Sequence, residues 1–339
     1  MKLFDCTYLN SAGGKKILEL TLEKMSDETI RDYFFLLDYR IDIDALSKLK
    51  NANYKLILNS EIKRRIFYKN VEHKIEKCIC LANVPPPIKI NCEVIIFFHN
   101  DLILKPRLSL NILKSITFFF KNFYIKSINS DNYKWIVQTE LMKESLSKGL
   151  IIRKRNISSF PIFKDFIIKK TLQKKSNSFL YVCSRSPHKN LDRLIKAFNQ
   201  VKNIGSKPLY LDLTIDDETF FKKKILSKNK NKNLTIQNHN NLNEDALKEL
   251  YSQSEFLIYP SVVESFGLPL IESIEFNCKI LASDLPYVKE IIKPTKIFNP
   301  FSVSSISNSI DYVIEKNNIV DSKILIRNKI YKFIELIES

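Results

Sequence analysis

Short apolar runs that alternate with helix-patterned stretches constrain this chain more than any other feature. In the second half, runs at 179–183, 208–215, 234–237, 256–259, 279–282 and 296–298 read as strands. Between them, Leu191, Leu194, Ile195, Ala197 and Phe198 recur at helical spacing within 190–201. Further helices are expected at 245–252 and 269–276, the latter opening on Pro269, where a missing N–H is harmless. Mostly apolar strands separated by helices predict a parallel, doubly wound sheet with both faces covered. The first half alternates too. Strands are expected at 3–9, 33–37, 55–58, 77–81, 93–98 and 134–138, with helices at 15–24, 62–75 and 108–128. A chain of 339 residues, 45% hydrophobic, suits two cores better than one. The expected α/β organisation is a first Rossmann-like domain at 1–165 and a second at 166–320. A last helix within 321–339 is expected to pack back on the first domain. The connection is placed within 156–178, which ends in the polar Lys174-Lys175-Ser176-Asn177-Ser178. Two such domains are expected to face a central cleft, since these sheets bind ligands outside their carboxyl ends.

Charge and cysteine content narrow the classes. The 54 Lys and Arg outnumber the 37 Asp and Glu, a formal net charge of +17, which favours anionic partners: nucleotide phosphates, acidic lipid or nucleic acid. No compact nucleic-acid recognition motif accompanies the charge, so no specific nucleic acid is expected. The six cysteines form no CxxC pair and most sit in apolar runs, which predicts free thiols in a reducing compartment. The histidines lack metal-ligand spacing, and no metal or other cofactor is expected. Residues 1–5 carry no apolar core after Lys2, arguing against a signal peptide, and no apolar run is long enough to cross a bilayer. A cytoplasmic protein is expected, soluble or peripheral on the inner membrane.

The segment from Tyr259 to Ser273, YPSVVESFGLPLIES, carries the sharpest chemistry. A buried strand ends, a loop with one glycine follows, and a helix opens. Free N–H groups at a helix start form an anion site, and Gly267 lets a ligand approach the backbone. Glu264 precedes the turn and Glu272 lies in the helix, eight positions on. A carboxylate accepting vicinal hydroxyls is a strong sugar or ribose anchor, worth about 1.5–3 kcal/mol per charged hydrogen bond. A second segment, VCSRSPHKNLDRL from Val182, ends another strand and places Arg185 and Lys189 in the loop before a helix. Fixed cations there would stabilise charge developing on an expelled diphosphate.

Together these segments resemble the E-x7-E signature and basic loop of retaining GT-B glycosyltransferases of the family-four type (glycosyl transferases group 1). The resemblance is firm over 179–299 and looser before it, through the Gly13-Gly14 turn, the His99 segment and residues 135–139. Relatives carry glycine where Ser184 stands, and a slightly longer spacing between the two cations. The resemblance implies that Glu264 contacts the donor sugar, Ser265, Phe266, Gly267 and Leu268 offer backbone to sugar and diphosphate, and Glu272 holds the ribose. Arg185 and Lys189 would neutralise the diphosphate. Gly13 and Gly14 stand where relatives have a glycine-rich loop near the donor phosphates, although an ordinary tight turn explains them equally. His99 follows a strand at its carboxyl end and stands near a sugar-contacting histidine of relatives; a structural role is as good a reading.

The implied activity is transfer of a hexose or deoxyhexose from a nucleotide-sugar donor to a glycan. The acceptor expected is a lipid-linked oligosaccharide in O-antigen or capsule synthesis. A nucleotide-sugar epimerase on the same fold and a basic nucleic-acid binder are the alternatives. Asp42 and Asp44, and Asp216 and Asp217, form acidic pairs that suggest a metal-dependent transferase, but the two-domain pattern argues against that fold. The basic aromatic stretch 108–128, with Phe118, Phe119, Phe120, Phe123 and Tyr124, either docks on an anionic membrane or packs into the first domain.

Overall fold

The computed structural model describes every residue except 10–11, 45, 106–111, 166–172, 203–206, 241 and 317–318. It consists of two compact units. Unit 1 contains Met1–Arg107, Ile112–Lys164 and Arg327–Ser339, and unit 2 contains Asp165–Ile326.

Unit 1 is built on strands β1 (Lys2–Cys6), β2 (Tyr33–Asp38), β3 (Asn53–Ile57), β4 (Lys77–Cys80), β5 (Glu93–Phe97), β6 (Lys134–Val137) and β7 (Ile157–Ser159). Among the described residues they form a seven-stranded parallel sheet in the order β3-β2-β1-β4-β5-β6-β7. Successive side chains take opposite faces. Phe4, Ile95 and Phe97 therefore enter one core, and Leu3, Val94 and Ile96 the other. The helices of unit 1 are α1 (Ala12–Lys24), α2 (Asp27–Asp32), α3 (Glu61–Val71), α4 (Asp101–Leu104), α5 (Ile112–Ile128) and α6 (Glu140–Leu150). Thr139 opens α6 by accepting from the Met142 N–H, and Ile151 closes it in the left-handed region.

Unit 2 repeats the plan with β8 (Lys175–Tyr181), β9 (Leu209–Leu213), β10 (Leu234–Asn238), β11 (Ser254–Tyr259), β12 (Lys279–Ser283) and β14 (Lys296–Phe298). Its described sheet has six parallel strands ordered β10-β9-β8-β11-β12-β14. The helices are α7 (Leu191–Phe198), α8 (Glu218–Phe220), α9 (Glu244–Gln253), α10 (Leu268–Glu275), α11 (Pro286–Ile291) and α12 (Val303–Glu315). A small antiparallel pair, β13 (Ile292–Lys293) with β15 (Lys323–Ile324), closes the unit.

Residues 321–326 stay with unit 2, and the chain returns to unit 1 from Arg327. The last helix, α13 (Ile330–Glu338), buries Ile330, Phe333, Ile334 and Ile337 in the core beside α1, and Tyr33 Oη donates to the Ile337 carbonyl at 2.8 Å.

Two sequence expectations change. The polar run at 174–178, read as connection, supplies the start of β8. Its polar groups are met by neighbours: Glu255 accepts from the Asn177 N–H at 2.7 Å, and Ser178 Oγ accepts from the Glu255 N–H at 2.9 Å. Tertiary pairing there overrides a local pattern that lacks apolar residues. In α5 the aromatics do not simply pack inward. Phe118 and Tyr124 lie against the core, whereas Phe119, Phe120 and Phe123 are 63%, 65% and 67% exposed. Residues 108–111 of the expected helix lie outside the described residues.

Candidate functional site

Strand order reverses in unit 2 between β8 and β11, the point where a doubly wound sheet leaves a crevice outside its carboxyl ends. The loops leaving those two strands hold the two segments that the sequence singles out. Lys189 Nζ meets Glu264 Oε1 at 2.6 Å, with the side chains only 15% and 13% exposed. The pair is held from beneath. Tyr181 Oη on β8 donates to the Lys189 carbonyl and shares a hydrogen bond with Ser261 Oγ, each at 2.8 Å. The Val262 N–H donates to the His188 carbonyl at 2.9 Å, and Tyr287 Oη to the Ser261 carbonyl at 2.8 Å. Asn190, left-handed at φ 60°, is buried and donates through Nδ2 to the Pro260 and Pro300 carbonyls. Three loops are thereby tied into one cradle.

Burial pushes the Glu264 carboxyl up. The Lys189 ammonium, the hydrogen bonds from Lys189 and Ser261, and His188 more than reverse that, leaving its pKa below the ordinary glutamate value. A carboxylate so held is ionised at neutral pH and accepts hydrogen bonds from sugar hydroxyls.

The helix start follows directly. Gly267 precedes α10 with φ 83°, a left-handed backbone that side chains rarely adopt, and a Cβ there would meet Leu270 Cδ1 at 3.2 Å. No side chain caps α10, and Pro269 stands in its first turn. The helix begins at Leu268, one residue before the expected start. Its uncapped N-terminus lies four positions after Glu264 and supplies a positive dipole end. Phe266 is buried and Ser265 half-buried.

Other expected residues are placed apart from this pair. Glu272 is 4% exposed and accepts from Tyr251 Oη of α9 at 2.9 Å, so the two glutamates of the signature have different partners. Arg185 is 60% exposed, and its guanidinium pairs with Asp217 rather than with Glu264. Asp217 also caps α8 by accepting from the Phe220 N–H at 2.8 Å. Asp217 of the acidic pair 216–217 thus serves both a cap and an ion pair, and no cluster of metal-ligating side chains exists among the described residues.

In unit 1, Gly13 and Gly14 lie within the first turn of α1 rather than in a loop before it, and Gly13 has open space where a Cβ would stand. Ser11 of that segment lies outside the described residues. His99 follows β5. Its N–H donates to Asn83 Oδ1 at 2.7 Å, which orients the amide so that Asn83 Nδ2 faces His99 Nε2 at 3.3 Å. Burial, then the Lys121 charge, lowers the imidazole pKa to about 4, so the ring is neutral at pH 7. Nδ1 is buried and without a hydrogen-bond partner among the described residues. His99 is therefore a neutral ring locked by Asn83, unsuited to act as an imidazolium donor.

Sequence reasoning did not anticipate that Lys189 would pair with Glu264, or that Tyr181, Ser261 and Asn190 support them. Only Asn190 had a local signal, as the residue between a loop and a helix. All six cysteines are free thiols, five of them buried.

Residues 163–330 match the family described as glycosyl transferases group 1. The O-antigen chain mannosyltransferase RfbU of Salmonella typhimurium is 31% identical over 142 residues, 38% of this chain and 35% of that protein. The serotype-specific mannosyltransferase WbdA of Escherichia coli is 43% identical over 51 residues, 15% of this chain and 6% of that protein. The chain thus spans about a third or less of the length of these curated relatives. Among solved structures, Anabaena HepE in complex with UDP and glucose superposes with a TM-score of 0.66 at 11% identity, covering 93% of this chain and 90% of that one. WaaG, a glycosyltransferase involved in lipopolysaccharide biosynthesis, superposes with a TM-score of 0.66 at 14% identity, covering 93% and 91%. These likenesses show the GT-B fold, two Rossmann-like units in one chain.

Proposed function

We infer that this chain, which belongs through residues 163–330 to the glycosyl transferases group 1, transfers a hexose or deoxyhexose from a nucleoside-diphosphate sugar to a glycan, with retention of configuration. The observation that carries this reading is the Lys189–Glu264 pair at the switch point of the unit 2 sheet, one short turn before the uncapped start of α10. The names of the relatives, both mannosyltransferases of O-antigen or serotype-specific glycans, favour a mannosyl donor and an acceptor in surface-polysaccharide synthesis.

In this reading the diphosphate lies against Lys189 and the N–H groups of the Gly267–Leu268 turn. These positive groups are fixed before reaction and stabilise the charge that builds on the leaving group. Glu264, ionised and anchored by Lys189, accepts from hydroxyls of the transferred sugar. Arg185 exchanges its exposed Asp217 partner for a phosphate oxygen, a cheap swap because exposed pairs are worth about 0–1 kcal/mol. Glu272 holds the ribose after giving up the Tyr251 hydroxyl. The acceptor hydroxyl attacks from the face the leaving group departs, and a leaving-phosphate oxygen takes its proton. No enzymic nucleophile and no metal take part.

The test is a thermal-shift screen of the purified chain against GDP, UDP, dTDP, CDP and ADP. A ligand that binds only the folded state raises Tm by mass action. One nucleotide is expected to stabilise the protein, and the shift is expected to vanish in Glu272→Ala. No shift with any of them would overturn the donor assignment.

The exposed face of α5 favours peripheral membrane contact by the same enzyme. Ile112, Leu113, Ile116, Phe119, Phe120 and Phe123 recur on one side of the helix, all exposed, with the exposed Lys126 at its edge. No described helix is long and apolar enough to cross a membrane. Vesicle flotation is expected to capture the protein on anionic liposomes and not on neutral ones; equal recovery with both would refute the docking.

A further inference from the structure

Unit 1 has its own switch point, between β1 and β4, and a cavity of about 480 Å³ opens there. Tyr8 comes from the loop after β1, Val84 from the loop after β4, Glu61 from the start of α3, and Lys121 and Tyr124 from α5. Its size suits one or two sugar rings rather than a macromolecule.

The polar groups of the wall are unevenly satisfied. Glu61 accepts from the hydroxyls of both Tyr8 and Tyr124, and Arg64 Nη1 lies 3.4 Å from Glu61 Oε1. Those bonds lock the two aromatic rings in place. Arg64 is fully used elsewhere: Nε donates to Asp5 at 2.8 Å, Nη1 to the Pro85 carbonyl at 2.8 Å and Nη2 to the Val84 carbonyl at 3.1 Å. Lys121 is different. Its side chain is half-buried, its ammonium lies 5.6 Å from the Tyr8 ring centroid, and it makes no hydrogen bond or ion pair with any described residue. Burial, then repulsion from Arg64, lowers its pKa against the pull of Glu61, a carboxylate already shared by Tyr8, Tyr124 and Arg64. A partly desolvated cation without a paired anion is unfavourable, and a ligand that brings an anion relieves it.

We propose that this cavity binds an anionic group, a phosphate or a carboxylate, carried on a sugar of the acceptor, with the Lys121 ammonium as its counter-charge and the Tyr8 and Tyr124 rings against the sugar. That the ligand is the acceptor rests on the glycosyl-transfer reading; the anionic-sugar site itself does not. Pocket position, size and the unmatched cation define it independently of the loops in unit 2.

Isothermal titration calorimetry on the full chain tests this with glucose 1-phosphate, glucuronate and the neutral methyl glucoside, using wild type, Lys121→Gln, Lys121→Arg and Lys189→Ala. At least one anionic sugar is expected to bind more tightly than methyl glucoside, and which one does distinguishes phosphate from carboxylate. Lys121→Gln is expected to weaken that binding by about tenfold or more, Lys121→Arg to retain most of it, and Lys189→Ala to leave it intact. Because Lys121→Gln removes an unpaired cation, its Tm is expected to equal or exceed that of wild type, which separates lost binding from lost folding. Its nucleotide-induced Tm shift is expected to match wild type, so a failed donor reading shows up separately. Absence of binding by both anionic sugars, equal binding of methyl glucoside, full affinity in Lys121→Gln, or loss in Lys189→Ala instead would each overturn the proposal.

Discussion

Glu264→Gln keeps the size of the side chain and removes one charge, so it isolates what the pair with Lys189 contributes. The N–O distance of 2.6 Å and exposures of 15% and 13% put the pair between two regimes. Exposed pairs are worth about 0–1 kcal/mol, and removing one partner of a buried pair costs about 3–5 kcal/mol. Glutamine can still accept one hydrogen bond from Lys189, and the Ser261 contact survives. We therefore expect a loss of about 2 kcal/mol, the range of a charge-assisted hydrogen bond. For a unit of this size that lowers Tm by roughly 4–8 °C.

The pH dependence follows from the direction of the Glu264 shift. Its folded pKa lies below the unfolded value of about 4.3, so on acidification the unfolded chain takes up the proton first. The stabilisation is complete above the unfolded pKa and disappears as pH falls through the folded one. Melting curves followed by circular dichroism from pH 7 down to about pH 3 should show wild type well above Glu264→Gln at neutral pH, with the two converging in acid. Coincident curves at pH 7, or a gap that persists undiminished in acid, would refute the reasoning. A Lys189→Met/Glu264→Gln double mutant should recover part of the loss, because the orphaned ammonium is then gone.

Three other substitutions or titrations test separate parts of the structure. Gly267→Ala must adopt φ near 83° and place a methyl 3.2 Å from Leu270, so urea denaturation should show a loss of more than about 1 kcal/mol. Arg185→Ala should change stability by less than about 1 kcal/mol, since its pair with Asp217 is exposed, while the KM for the donor rises; an unchanged KM would remove Arg185 from the diphosphate site. In NMR titration His99 should protonate near pH 4, and stability should fall as pH drops from about 6.5 toward that value, because the unfolded imidazole charges first.

What could be read in advance followed from local pattern. The strands at 254–259 and 279–283 are mostly apolar and the one at 234–238 alternates apolar with polar, and their positions were legible within a residue or two. The start of β8 was not, because Lys175 pairs only with Ser254 of β11, the register then breaks with Asn177 left-handed at φ 55°, and β9 joins from Ser178. The helix at α10 announced itself through Gly267 and Pro269. Its relation to Lys189 did not, since the contact joins positions 75 apart and no periodicity reports a partner at that separation. Arg185 shows the converse: the loop was found, but an acidic side chain 32 positions on turned the guanidinium another way. In α5 the spacing showed that a face existed, yet only the packing of Phe118 and Tyr124 decides that Phe119, Phe120 and Phe123 remain outside.

Strand order explains where the chemistry of each unit gathers. In unit 2 the reversal falls between β8 and β11, whose loops carry Lys189 and Glu264. In unit 1 it falls between β1 and β4, whose loops carry Tyr8 and Val84 and leave Lys121 unmatched above them. A crevice exists at each reversal because the two neighbouring connections leave on opposite faces of the sheet. The backbone therefore fixes where a ligand can enter and leaves the side chains free to set which one. In unit 2 that choice is an ionised carboxylate braced by a cation, suited to hydroxyls and phosphate. In unit 1 it is a cation whose nearest carboxylate is already occupied by two phenols, suited to an anion from outside. Exchanging these two chemistries would leave both sheets intact, so selectivity is expected to change with Glu264 and Lys121 while the fold does not.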